Sequence, residues 1–203
     1  MGAMGKRVKQ KEEVRQEIID AAMDLFLNDG YESFSIRKLA EKIEYSPTTI
    51  YLYFKDKDDL LYTVSEEYAE HFFANLTNIR TTYHDPLEAL QQALLYLIAL
   101  GFNNPNQYNG FFISSPKVYG GPDEFMEKES MARNSYFVFR EIVRNCIATG
   151  KLQEIDLDVL TQALIVATYG LAALSVYKTS FPWVDRKVLA HTLVEGLLRG
   201  YQK

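Results

Sequence analysis

Cysteine and histidine are scarce in this chain of 203 residues, which contains one cysteine, Cys146, and three histidines. A lone cysteine excludes an intramolecular disulfide and a thiolate metal cluster, as is usual in a reducing cytoplasm. None of His71, His84 and His191 has a partner at the spacing of a metal-binding helix motif. We therefore expect a cytoplasmic protein with no metal and no cofactor.

Groups that would build a catalytic site are also missing. The sequence has no glycine-rich phosphate loop and no dinucleotide-binding glycine pattern. The acidic cluster Glu66–His71 has no second copy, which a di-iron helical bundle would need, so we interpret it as a solvated helix face. Cys146 lies among apolar residues, where a buried inert thiol is the expected state. The chain is not predicted to be an enzyme.

The sequence lacks strand-like alternation, a long hydrophobic run and an excess of positive charge. The longest apolar stretch, Leu164–Val176, is shorter than the ~20 residues that span a bilayer, so we expect a buried helix and no membrane association. The net charge is −5, and residues 6–62 carry ten Lys or Arg against twelve Asp or Glu. Any nucleic-acid surface must therefore depend on where charges are placed.

Helical periodicity runs through nearly the whole sequence and predicts an all-α protein. Gly30 is expected to end the first helix by adopting a left-handed conformation. Ser35 and Ser46 are placed to cap the next two helices, and Pro47 suits the first turn of the second of these. Later helices are expected to begin at Asp56, Asp85, Asp123, Asp156 and Asp185, with the helix from Asp123 continuing to Thr149.

Two short helices joined by a tight turn between Phe34 and Leu61 predict a helix-turn-helix, whose second helix enters the DNA major groove. Ile50 and Phe54 are four residues apart and can anchor that helix to the preceding one. Its remaining side chains, which are poor at filling an aliphatic core, then project outward to contact DNA: Thr48, Thr49, Tyr51 and Tyr53. The alternative is a structural helix pair whose tyrosines pack against the rest of the protein.

The stretch from Glu17 to Tyr62, which ends in TIYLYFKDKDDLL, resembles the DNA-binding region of the TetR family of transcriptional regulators. The resemblance implies that Arg37 starts a helix near DNA and that Lys57 clamps a phosphate. It also implies that the recognition-helix contacts are Thr48, Thr49, Tyr51 and Tyr53. One departure is Glu44, which stands in the turn where the family usually has glycine, and a positive φ there costs energy for any other residue.

The resemblance further implies a helix-turn-helix domain at residues 6–56, joined through a shared helix to a larger helical domain at residues 57–203. That larger domain is expected to bind a small effector and to dimerise through its last two helices. Small and apolar residues form stripes on both helices: Ala163, Ala167, Gly170 and Leu174 on one, and Leu189, Leu193, Gly196, Leu197 and Gly200 on the other. The same stripes would also suit packing within one subunit.

Aromatic residues are concentrated in the larger domain and predict a mostly apolar ligand site with tyrosine hydroxyls as its polar groups. The residues assigned to it are Tyr96, Phe112, Tyr136, Phe139 and Tyr169, and for each of them a place in the core is the alternative. We expect a repressor that binds a pseudo-palindromic DNA operator as a homodimer and is released by an apolar or aromatic effector. The alternative is a helical adaptor or enzyme that uses the fold without sequence-specific DNA binding.

Overall fold

A computed structural model describes residues 3–113, 119–178 and 180–203. Within those ranges the chain is all-α, as predicted, with ten α-helices, one π-helical turn at Asn109–Ile113 and no strand. The helices are α1 (Ala3–Ser33), α2 (Ile36–Lys42), α3 (Pro47–Tyr51), α4 (Lys57–Thr82), α5 (Pro86–Asn103), α6 (Pro105–Tyr108), α7 (Pro122–Glu127), α8 (Met131–Ala148), α9 (Leu157–Tyr177) and α10 (Arg186–Tyr201).

The first compact unit comprises residues 1–68 and 110–125. Its core is formed by apolar side chains of α1 to α4, among which Ile18, Ile19, Leu39, Ile50 and Leu60 are fully buried. Gly30 has φ 75° and ψ 172°, a conformation reserved for glycine, and it interrupts the helical geometry of α1 near its end. The expected break at Gly30 is therefore confirmed.

Serine caps set the two short helices of this unit. The Ser35 side chain accepts a hydrogen bond from the backbone N–H of Lys38, and Ser46 accepts one from that of Thr49. Pro47 occupies the first turn of α3, where the backbone donor it lacks would have no helical partner. Both predicted caps are confirmed, which explains why a helix as short as α3 has a defined start.

The second compact unit comprises residues 69–109 and 126–203. Leucine, isoleucine and valine side chains of α5, α8, α9 and α10 form its core, together with Leu76 of α4. Helices α5 and α9 approach closely at Gly101, where an added Cβ would lie 2.7 Å from the Cβ of Ala172. A side chain larger than hydrogen at position 101 would therefore push these two helices apart.

Two expectations about the later helices were wrong. The single helix expected from Asp123 to Thr149 is divided into α7 and α8, because the Ser130 side chain accepts a hydrogen bond from the backbone N–H of Arg133 and starts a new helix. Helix α9 is not a fully buried helix either. Its segment Leu157–Ser175 is long and apolar enough to cross a membrane, with a mean hydropathy of 1.6, yet only 28% of it is buried.

Helix α4 contributes to both units, since the division falls after Tyr68. Its first turn carries Asp58 and Asp59, whose carboxylates complement the helix dipole. The Asp59 backbone N–H also donates to the Asp56 carboxylate over 2.9 Å. As a division of function, residues 6–56 and 57–203 remain a prediction.

Candidate functional site

Helices α2 and α3 are joined by a tight turn that ends α2 with a left-handed residue. The backbone N–H of Tyr45 donates to the carbonyl of Ala40, five residues earlier, over 3.0 Å. This is the 6→1 hydrogen bond of a Schellman motif. The left-handed position of that motif is Glu44, with φ 57°. Glu44 is thus strained where the chain departs from the glycine that its family resemblance leads one to expect.

The burial of Ile50 and Phe54 determines which side of α3 faces solvent. Their side chains are 0% and 2% exposed, as their four-residue spacing predicted. Thr48 is exposed and Tyr51 is 53% exposed on the other side. Leu52, which the sequence analysis did not single out, is 74% exposed. Leu52 does not share the four-residue spacing of Ile50 and Phe54, and this spacing already indicated that its side chain would not face the core.

Thr49 and Tyr53 lie closer to the protein than a fully outward-facing helix would place them. Both are half-buried, and Tyr53 packs against the core of the first unit. The Thr49 hydroxyl lies 2.9 Å from the Ser46 hydroxyl, with which it shares a hydrogen bond. Thr48 and Tyr51 are therefore the more accessible of the four predicted contacts, and all four remain predictions.

The cations of α2 are held in ion pairs. Arg37 contacts Glu41 over 3.1 Å and Lys38 contacts Asp29 over 3.5 Å, both at the surface. Lys42 pairs with Asp24, and the hydrogen bond from Lys42 lowers the pKa of that carboxyl group. A phosphate at Arg37 would compete with Glu41 for the same guanidinium.

Lys57, the other predicted phosphate contact, starts α4 and belongs to the same unit. Its Nζ lies 5.8 Å from the centre of the Phe34 ring, a cation–π distance. On the neighbouring α1, the Arg15 guanidinium lies 5.2 Å from the centre of the buried Phe54 ring. Both basic groups thus lie over aromatic rings of the core of the first unit.

Four of the five predicted effector residues belong to the second unit, and they occupy different environments. Phe139 is 2% exposed and part of the core. Tyr96 is half-buried and stacks on Phe72 with ring centres 5.8 Å apart. Tyr169 meets the edge of the buried Tyr108, whose hydroxyl donates to the Tyr169 carbonyl over 3.2 Å. Tyr96, Phe139 and Tyr169 are thus brought to the same core.

Tyr136 is half-buried on α8, and its hydroxyl donates to the Asp158 carboxylate over 3.3 Å. Burial, and then the Asp158 charge, raises the pKa of this phenol. Arg140 donates to both oxygens of the same carboxylate, at 2.6 and 3.0 Å, so Tyr136 forms part of a polar bridge between α8 and α9. That bridge is a structural role that the sequence analysis missed.

The fifth residue, Phe112, belongs to the first unit because the segment 110–125 does. Its ring meets the edge of Tyr68 at 6.0 Å, and the adjacent Phe111 stacks on Tyr68 at 4.1 Å. Phe111 also contacts Phe26 of α1 at 5.4 Å. The sequence analysis did not predict that the aromatic π-helical segment packs with α1 and α4.

The lone cysteine, Cys146, is buried and hydrogen-bonded. Burial raises the pKa of the Cys146 thiol to about 12, and its Sγ donates to the Pro86 carbonyl over 3.0 Å. Among the described residues, no group of three histidine, cysteine or acidic side chains is arranged to hold a metal ion.

The helix-turn-helix geometry of α2 and α3 agrees with comparisons to known proteins. Residues 18–64 match the profile of the bacterial regulatory proteins of the tetR family. A helix-turn-helix-type transcriptional regulator of Staphylococcus aureus strain USA300 is 33% identical over 96 residues, which are 47% of this chain and 52% of that protein. The chain thus spans about half the length of the curated relatives it matches.

Solved structures extend the likeness over nearly the whole chain. RolR in complex with resorcinol has a TM-score of 0.66 at 22% identity and covers 96% of this chain and 90% of its own. FadR of Bacillus subtilis in complex with stearoyl-CoA has a TM-score of 0.73 at 20% identity, and the match covers 92% of this chain and 99% of the FadR chain. The fold is the one that these solved structures share.

The strain at Glu44 can be measured. Glu44→Gly should raise the free energy of unfolding by about 1 kcal/mol, because glycine adopts a positive φ without a Cβ clash. Glu44→Gln, which keeps the Cβ and removes the charge, is the matched control and should leave stability within about 0.5 kcal/mol. Chemical denaturation of both variants checks this. An equal gain in Glu44→Gln would assign the effect to charge instead of backbone strain.

Proposed function

We propose that the protein is a transcriptional repressor that binds a pseudo-palindromic DNA operator as a homodimer and is released by a small, mostly apolar effector. The observation that supports it most is the outward face of α3, where Thr48 is exposed and Tyr51 is 53% exposed beside a buried Ile50. The match of residues 18–64 to the profile of the tetR family supports the same assignment. Such a protein works in the cytoplasm.

The proposed DNA surface consists of Arg37, Thr48, Thr49, Tyr51, Tyr53 and Lys57. Hydroxyl groups on α3 contact phosphates and base edges, and a threonine methyl group packs on a thymine methyl. Arg37 and Lys57 contact phosphates of the DNA backbone and thereby place α3 in the major groove. A two-fold dimer presents two such helices about 34–36 Å apart, one helical turn of DNA.

The proposed dimer interface is the uncovered apolar face of α9 and α10. Val159, Val166 and Leu174 of α9 are 62%, 70% and 50% exposed, on the same side as Gly170. On α10, Gly196 and Gly200 have open space where a Cβ would be. Glycines on an apolar stripe allow two helix backbones to approach closely, so α9 and α10 of two subunits would pack as four helices.

A membrane is the less favoured cover for this face. The opposite side of α9 contributes Leu160 and Leu164 to the core of the second unit, and the fully buried Thr168 hydroxyl donates to the Leu164 carbonyl. An amphipathic core helix with one uncovered stripe fits a second protein surface better than surrounding lipid.

The proposed effector binds in the second unit beside Tyr96, Phe139 and Tyr169, which share one aromatic-rich core there. Tyr136 is the fourth assigned residue of this unit, whereas Phe112, the fifth assigned residue, belongs to the first unit. The complexes of RolR with resorcinol and FadR with stearoyl-CoA support an apolar or aromatic ligand. Helix α4 couples the sites, because it begins with Lys57 in the first unit and continues to Thr82 in the second.

The DNA surface is tested by Tyr51→Ala and Lys57→Ala, each of which should weaken operator binding by roughly tenfold or more in gel shifts. Lys57→Ala should also reduce the slope of log affinity against log salt by about one, since one phosphate contact is lost. Thr49→Ala should change base preference. Arg199→Ala, which removes an exposed cation of α10 at its ion pair with Glu195, is the matched control. Unchanged affinity and selectivity in all three test variants would exclude this surface.

The dimer interface is tested by Ala167→Arg and Gly196→Arg, which should yield monomers with poor operator affinity because an unpaired charge would be buried. Sedimentation velocity measures the change. His191→Arg places the same side chain about 140° around α10 from Gly196, at an exposed position, and should remain dimeric. Dimers in both test variants would place the interface elsewhere.

The effector is tested by a thermal-shift screen of small apolar and aromatic compounds, followed by operator titrations with each stabilising compound. An effector should weaken operator binding by roughly 5- to 150-fold, and operator DNA should weaken effector binding by the same factor. A screen without a stabilising compound, or one whose compounds leave operator affinity unchanged, would leave a DNA-binding protein without the proposed release.

A further inference from the structure

An open cavity of about 180 Å³ lies on the second unit, between the last turn of α4, the start of α5 and the C-terminal half of α8. Its floor is apolar. Ala89 and Ile142, which line it, are 4% and 1% exposed and belong to or adjoin the core, and Pro86 adds a ring at the edge. Because liquid water occupies about 30 Å³ per molecule, the cavity holds about six waters or one small organic molecule.

The rim of the cavity is polar and carries a permanent positive charge. It is formed by Arg80, Tyr83, His84 and Asn145. Within the described part of the chain, none of these four side chains forms a hydrogen bond or an ion pair with another side chain. The Arg80 guanidinium contrasts with Arg140 and Arg144 of α8 in this respect, since both of those pair with carboxylates.

The carboxylate next to this rim, Asp85, is already paired with a lysine. Asp85 receives a hydrogen bond from Lys151 over 2.7 Å and others from the backbone N–H groups of Leu87 and Glu88. The bond from Lys151 is the main reason that the pKa of Asp85 is lowered. Asp85 is thus committed to capping α5, and its charge does not compensate that of Arg80.

We propose that this cavity binds a small monocarboxylate with an apolar body, of about the size of benzoate. Arg80 pairs with the carboxylate through two parallel N–H donors, the arrangement that guanidinium groups favour. Tyr83, His84 and Asn145 supply further donors around the same group. The apolar body packs on Pro86 and on the Tyr83 ring, which are half-buried and line the cavity, a contact that an inorganic anion of similar charge cannot make.

The site goes beyond the proposed function, because none of Tyr96, Phe112, Tyr136, Phe139 and Tyr169 lines it. Its occupant does not have to be the effector that releases DNA. The two proposals therefore fail separately: operator binding and its release are read by gel shift, whereas the carboxylate site is read by direct ligand titration.

The experiment uses the full chain and sodium benzoate as the probe, titrated by calorimetry and by two-dimensional NMR at constant ionic strength. Saturable binding is expected, with signals of residues around Arg80 and Asn145 shifting together. Benzamide, which has the same ring without the charge, should bind at least tenfold more weakly, and so should inorganic phosphate.

Arg80→Gln should weaken benzoate binding by about tenfold, as expected for the loss of one charged pairing. Asn145→Asp, which adds a negative charge to the exposed rim, should weaken it further. Arg144→Gln removes a neighbouring exposed cation of α8 that pairs with Glu141 and does not line the cavity, so it should leave binding unchanged. Equal binding of benzamide, an equal loss in Arg144→Gln, or absence of saturable benzoate binding would overturn the proposal.

Discussion

The burial of Ile50 and Phe54 is the contact on which the proposed DNA surface depends. Helix α3 has five residues, far fewer than an isolated helix needs to be stable in water. Its orientation is therefore fixed by tertiary packing, and each fully buried side chain of this size contributes about 1.5–3 kcal/mol. With Ile50 and Phe54 turned inward, helical geometry leaves Thr48 and Tyr51 no alternative to the solvent side.

Local chemistry explains which parts of the fold were predictable from the sequence. The caps at Ser35, Ser46, Asp85, Asp156 and Asp185 were all anticipated, because a capping side chain bonds to a backbone N–H only two or three residues away. The same rule should have located Ser130, whose cap divides α7 from α8. There, helical periodicity was interpreted as continuous from Asp123 to Thr149, and the cap at Ser130 was overlooked.

Contacts between distant parts of the chain were not predictable in this way. Phe111 is 85 residues from its neighbour Phe26, and nothing in the spacing of aromatics indicates which core a loop segment will join. The half-buried state of Thr49 and Tyr53 has the same origin, because helical periodicity gives a direction but not the depth of the surrounding surface. The sequence thus predicted that Ile50 and Phe54 face inward, but not how each aromatic is used.

The pairing of the α2 cations bears on how such a surface would meet DNA. Residues 6–62 contain more acids than bases, and Arg37, Lys38 and Lys42 each contact a carboxylate. A phosphate that takes over one of these cations releases a side-chain carboxylate as well as a counterion. Part of the electrostatic gain is then offset by the lost ion pair, which for an exposed pair amounts to about 0.2–1 kcal/mol.

This offset weakens binding to any DNA, because phosphate contacts are nearly independent of sequence. The proposed contacts of α3 with base edges would be unaffected by it, since Thr48 and Tyr51 carry no charge. Specific and non-specific complexes that make the same phosphate contacts lose the same free energy, so the ratio of the two affinities is unchanged. For a protein that must find one operator among many competing sites, the ratio of the two affinities matters more than either value. The acidic balance of the first unit is thus compatible with selective DNA recognition, while its paired cations lower the affinity for any DNA.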